Sequence, residues 1–139
     1  MKASLAAVGA LLAFSACAAG SERPSDPLLA ELAMLTGPNA KQCGPVSLGS
    51  DPSSAWRCAQ DAAQQSTPHW FAVQREGIDS DVWLASMLTP SGQRFILSYD
   101  SNFMVVPELL PRFTREACNG TVVFTPGSKA ALQCSRSEP

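Results

Sequence analysis

The sequence predicts an α+β domain in which one main helix packs on a small antiparallel sheet of three to four strands, held by two disulfides. Three observations carry that expectation. A helix signal with a face of small residues runs from Asp51 to Gln65, and three apolar runs joined by short turns lie between residues 69 and 99. Four cysteines, Cys43, Cys58, Cys118 and Cys134, fall in the same part of the chain.

Met1 and Lys2 give a positive start, and an apolar or small run follows from Ala3 to Ala16, the layout of a secretory signal. These fourteen residues fall short of the about 20 that a helix needs to span a hydrocarbon core. The cleavage region reads Ala13, Phe14, Ser15, Ala16, Cys17, and here the chain resembles bacterial lipoprotein precursors. The resemblance implies a signal peptide over 1–16, cleavage before Cys17 and lipid on its sulfur. Phe14 stands where that class usually has Leu, so ordinary cleavage after Ala18-Ala19, giving a soluble secreted protein, stays open. Ala18 is not the Asp that commonly retains such proteins at the inner membrane, so the resemblance implies an outer-membrane anchor in the periplasm.

Cysteine usage agrees with export. With Cys17 assigned to lipid, the remaining four of the five cysteines read as two disulfides in an oxidising compartment. The sequence-local pairings Cys43–Cys58 and Cys118–Cys134 are favoured, each closing a loop of about 15 residues, although spacing alone leaves the other connectivities open. Zinc is the competing use. The spacings are long, there is no C-x-x-C and His69 is the only histidine, so zinc ranks far below disulfides.

Residues 17–27 combine Ala, Gly, Ser, Pro and charge, the composition of a tether, ahead of a single domain over 28–139. Asp26 and Pro27 can start a short helix whose stripe Leu28, Leu29, Leu32 and Leu35 stops at Gly37 and Pro38. Asp51 and Pro52 repeat that signal, with Ala55, Cys58, Ala59, Ala62 and Ala63 sharing one narrow face. Strand-like runs follow at 69–76, 81–89 and 93–99, linked by Gly77-Ile78-Asp79-Ser80 and Pro90-Ser91-Gly92, so an antiparallel meander is expected. A fourth run, Thr121–Thr125, lies between Asn119-Gly120 and Pro126-Gly127. Between 100 and 117, Phe103–Val106 can extend the sheet, whereas Pro107 and Pro111 favour a loop.

Without residues 1–16 the ten basic side chains lose Lys2, leaving nine against twelve acidic ones. This mild acidity, with no basic run, excludes an electrostatic footprint for nucleic acid, and membrane contact is expected through the lipid anchor only. No cofactor motif is read.

Chemistry-bearing residues are few. His69 is the one side chain with an unperturbed pKa near neutrality, but no partner is specified beside it, and a histidine at a strand end is more often without a role. Asp79 and Asp81 flank Ser80 in a turn and Asp100 ends a neighbouring strand. Three carboxylates at one sheet edge can hold a hard cation or move protons, yet Asp in turns routinely bonds its own backbone. Ser80, Ser91 and Ser101 lie outside any G-x-S-x-G elbow. Trp70 and Trp83, with Trp56, Phe71, Phe95 and Tyr99, are mainly core material. One left exposed beside Gln74 or Arg94 would form a contact patch for an envelope protein or glycan.

Cys43-Gly44 through Cys58-Ala59, Gly77-Ile78-Asp79-Ser80 and Tyr99-Asp100-Ser101 look similar to small uncharacterised exported bacterial proteins, which implies location only. Ser91, Gly92, Phe95 and Tyr99 resemble the Ser-Gly loop and aromatic strand of periplasmic inhibitors of c-type lysozyme, a nearly all-β barrel family. The sequence therefore favours a lipid-anchored periplasmic binding module. Inhibition of a cell-wall hydrolase, or a small hydrolase or metal-dependent domain using His69 with nearby aspartates, are its alternatives.

Overall fold

The structure is a computed structural model describing residues 27–101 and 113–136. The signal segment 1–16, Cys17, the tether up to Asp26, and the run Phe103–Val106 with Pro107 and Pro111 lie outside the described residues.

The elements follow in the order α1 (Pro27–Thr36), β1 (Lys41–Gln42), α2 (Ser53–Gln64), β2 (His69–Arg75), β3 (Val82–Leu88), β4 (Arg94–Asp100), β5 (Phe113–Ala117), β6 (Thr121–Thr125) and β7 (Ala131–Ser135). Strands β1 to β5 form one five-stranded sheet in sequence order, and β6 and β7 form a separate two-stranded one. The α+β class and two disulfides therefore stand. The expectation of three to four strands is corrected to a five-stranded main sheet and a separate two-stranded sheet among the described residues, while the main helix is α2 and the short helix expected from Pro27 is α1.

The larger count has two causes: β1 and β5 are exposed edge strands added by backbone pairing to β2 and β4, and the β6–β7 hairpin helps to cover a second face of the main sheet. Strands β2 and β3 read Trp-Phe-Ala-Val and Trp-Leu-Ala-Ser-Met-Leu, with little polar alternation, because layers cover both sides of the sheet. On one face Trp70, Ala72, Ala85, Met87, Leu97 and Tyr99 pack with Leu28 and Leu32 of α1. On the other, Phe71, Val73 and Leu84 pack with Ala59 of α2 and Leu132 of β7. Trp56, Phe71 and Phe124 join α2, β2 and β6 in one three-ring cluster with centroids 5.1–5.3 Å apart.

Local signals explain the helix ends. In α1, Gly37 sits at φ +83° and its N–H reaches Ala33 O at 2.9 Å, a left-handed C-terminal stop that glycine adopts without strain. At the start of α2, Asp51 Oδ1 accepts from Ser53 N at 3.0 Å and Ser53 Oγ at 2.6 Å, while Pro52 O takes the first helical bond from Trp56 N. At its end Ser66 adopts φ +52°, with Ser66 N to Ala63 O and Thr67 N to Ala62 O completing a Schellman motif.

The disulfides are Cys43–Cys58 and Cys118–Cys134. The first ties α2 to the segment after β1, which runs against the β2 edge through Cys43 N to Trp70 O and Val46 N to Ala72 O. The second ties the end of β5 to β7, so the two staples hold the two elements that cover the Phe71 face. Among the described residues no helix is long and apolar enough to cross a membrane.

Candidate functional site

Strand register decides which side chains meet. His69 pairs with Leu88 across β2–β3, and Leu88 pairs with Arg94 across β3–β4, so these three form one row across the end of the sheet. Side chains alternate between faces, which puts His69, Ser86 and Arg94 on the face covered by α2 and β6. Between these layers lies a cavity of about 310 Å³. Its apolar walls come from Trp56, Ala59, Ala63, Leu88 and Val122, and its polar groups from Gln60, Gln64, His69, Ser86, Arg94 and Thr121.

The narrow face of α2 makes the cavity. Alanines at 59 and 63 leave open space above the sheet where larger residues would fill it, and Trp56 closes one side. Cys58, between these residues, fixes the helix through Cys43.

His69 is 6 % exposed, and its Nδ1 lies 2.8 Å from Thr67 O. A carbonyl only accepts, so in the neutral ring the proton sits on Nδ1 and Nε2 is a bare acceptor. Burial pushes the His69 pKa below its ordinary value; the Thr67 bond opposes this, and the positive charges of Arg94 and Lys41 add to the lowering. The imidazole is therefore neutral at pH 7. Ser86 is 4 % exposed and makes no side-chain hydrogen bond among the described residues. Arg94 is exposed and, among the described residues, is the one permanently charged group lining the cavity, with no carboxylate beside it there.

This arrangement is better suited to binding than to catalysis. Ser86 is the diagonal cross-strand neighbour of His69, a spacing of about 7–8 Å between backbones, and the two make no hydrogen bond. A nucleophile needs its base within hydrogen-bond reach and the base needs an orienting group. Thr67 O orients His69, but among the described residues no nucleophile is placed on Nε2.

The structure brings Asp79, Asp81 and Asp100 to one end of the sheet and puts His69 at the other end of β2. The six-residue rise of β2 separates the two ends by about 20 Å, so His69 and the aspartates do not share a site. Asp79 occupies the turn at φ +58°. Asp81 Oδ1 accepts from Gln74 Nε2 at 3.0 Å, and its N–H donates to Ser101 Oγ at 2.7 Å, which closes the β2–β3 turn onto the end of β4. Among the described residues no three His, Cys, Asp or Glu side chains are grouped to hold a metal ion.

Trp70 is core, 3 % exposed beneath α1, whereas Trp83 is half-buried on the same face, opposite Gln74. Ser91 and Gly92 are exposed at the β3–β4 turn, where Thr89 Oγ1 lies 2.9 Å from Ser91 Oγ. Phe95 and Tyr99 instead belong to the α1 face, with Tyr99 buried. An open sheet between two layers departs from the closed barrel that the resemblance to lysozyme inhibitors implies.

Sequence reasoning singled out His69 but not Ser86, Gln60 or Gln64. The signal was the row and the alternation: once the 90–92 turn pairs Leu88 with Arg94, Ser86 must share their face. Comparison of the chain with protein-family models, with curated proteins and with solved structures finds no match.

Proposed function

We propose that this protein is a lipid-anchored periplasmic binding module, and that its binding site is the cavity between α2, β6 and the His69–Leu88–Arg94 row. The single observation that carries the reading is the cavity's chemistry. A neutral imidazole acceptor, a hydroxyl and a guanidinium, none with a side-chain partner among the described residues, face a cavity with an apolar side formed by Trp56, Ala59, Ala63 and Val122. Concave apolar sites with a few convergent polar groups are the usual form of ligand pockets. The missing base–nucleophile contact argues against hydrolysis, and the separation of His69 from the aspartates argues against a shared metal site.

The location rests on the signal-like start, Cys17, and the two disulfides, which an oxidising compartment preserves. Chemical cross-linking of tagged full-length protein in cells, followed by mass spectrometry of the envelope fraction, tests the reading. The expected result is one dominant envelope component attached to the wild type and lost in Arg94→Gln. A component retained equally by that variant would contradict the site, and no specific component at all would contradict the module. Cys17→Ser is expected to move the protein out of the membrane fraction, and unchanged fractionation counts against the anchor.

A further inference from the structure

Each polar group in the cavity specifies the atom it would meet. Arg94 is a permanent cation with no carboxylate on the surrounding walls among the described residues, so it calls for an anion, and its planar fork matches a carboxylate. His69 has committed Nδ1–H to Thr67 O, which leaves Nε2 able only to accept and so calls for an N–H or O–H donor. Trp56, Ala59, Ala63 and Val122 line one side with no polar side chain other than the Trp56 indole, so the part of the occupant lying there is apolar, while Gln60, Gln64 and Thr121 keep the remaining lining polar. At a liquid share of about 30 Å³ per water, 310 Å³ holds about ten waters, so a group of about a dozen non-hydrogen atoms fits.

We infer that the cavity binds a carboxylate flanked by an N–H donor and an apolar side group, the chemistry of an N-acylated amino acid or of a peptide C-terminus. The carboxylate lies on Arg94, the donor faces His69 Nε2, and the apolar group enters between α2 and Val122. Ser86 Oγ, together with Gln60, Gln64 and Thr121, can donate to or accept from the occupant's other polar atoms. The charged residues on the elements packed around His69 are consistent with this polarity. Arg94 on β4 and Lys41 on β1 both make its surroundings positive, while among the described residues α2 and β6 line the cavity with Gln60, Gln64 and Thr121 and with no charged group, Arg57 and Asp61 of α2 lying outside the lining. This inference rests on the proposed function and names the ligand class of the same site.

Titration of the ¹⁵N-labelled domain with N-acetyl-leucine, followed by NMR, tests it. The expected result is saturable shifts concentrated at residues 60–64, 86–88 and 121–122. Binding should fall by roughly tenfold or more for N-acetyl-leucinamide, which lacks the charge, and fall again for 4-methylpentanoate, which lacks the donor. Arg94→Gln, at an exposed position that leaves the fold intact, should lose N-acetyl-leucine binding, and Arg94→Lys should recover part of it. A tetrapeptide Ala-Ala-Ala-Leu separates the two sources: binding equal to N-acetyl-leucine supports a chain terminus, and exclusion supports a small free acid. Equal binding of acid and amide, shifts centred elsewhere, or no shift at the solubility limit overturns the ligand class. If Arg94-dependent cross-linking in cells persists in that case, the binding module stands without this ligand; loss of both overturns both.

Discussion

Removing the two disulfides should cost most of the stability of this domain, and the loop lengths set the magnitude. Cys43–Cys58 closes a separation of 15 residues and Cys118–Cys134 one of 16. The chain-entropy relation gives about 3 kcal/mol for each loop. The bonds join different elements, so their losses should add, to about 6 kcal/mol in total. Small domains have only about 5–15 kcal/mol in all. The perturbation is Cys43→Ala with Cys58→Ala, then Cys118→Ala with Cys134→Ala, then all four. Urea unfolding followed by tryptophan fluorescence suits the protein because Trp56 and Trp70 lie on opposite faces of the sheet. With slopes of about 1–3 kcal/mol per molar urea, each pair should lower the midpoint by about 1–3 M. The four-fold variant should be largely unfolded without denaturant. A midpoint unchanged in either pair variant would refute the entropic argument for that loop. Pair losses that fail to add would show that the two covering elements are not independent.

Further outcomes follow from particular side chains. His69 has a folded-state pKa below its ordinary 6.5, so the unfolded chain binds the proton more readily. Stability should be full above about pH 6.5, fall as pH drops from there toward the folded-state pKa, and level off below it, with a slope of up to about 1.4 kcal/mol per pH unit. His69→Gln should flatten that window in urea melts, and an unchanged pH profile would contradict the buried neutral imidazole. Ser66, in the left-handed region at φ +52°, should stabilise the domain by about 0.5–1 kcal/mol when changed to Gly, measured by the same melts. Gly44 has backbone atoms of Ala72 3.0 and 3.1 Å from where a Cβ would lie, so Gly44→Ala should destabilise by about 1–3 kcal/mol. Double-mutant cycles between Trp56 and Phe124, whose rings lie 5.3 Å apart, should show a coupling of about 0.5–1.5 kcal/mol.

Much of the central architecture was legible because its signals were local. Asp51-Pro52 marked α2, Gly37 marked the end of α1, and the turns at 77–80 and 90–92 set the β2–β3–β4 meander. The strands that escaped notice have no local signature. β1 is two polar residues, Lys41 and Gln42, and owes its place to the backbone of β2. β5 reads Phe-Thr-Arg-Glu-Ala and is exposed over most of its length at the sheet edge. β7 reads Ala-Leu-Gln-Cys-Ser, with one large apolar residue, and forms by pairing with β6. The second face was hidden for a related reason. Unbroken apolar strands say that both sides are covered, but not by what, and the hairpin that covers one side is distant in sequence. The candidate site was half legible. His69 stood out by being alone, while its companions Ser86 and Arg94 emerge only through the register that pairs β3 with β4. The three aspartates lie at one end of the sheet, but among the described residues they form no group that could hold a metal ion, and Asp81 is occupied in holding the turn.

The most direct test of a binding site at the His69 end is to place a photo-reactive residue at Gln64, on the cavity rim, and separately at Ile78, 89 % exposed in the turn at the opposite end of β2. After irradiation in cells, intact mass is measured on the purified full-length protein. The account predicts an added mass from position 64 that disappears with Arg94→Gln, and none from position 78. A specific adduct from position 78, or an adduct at 64 indifferent to Arg94, would contradict it.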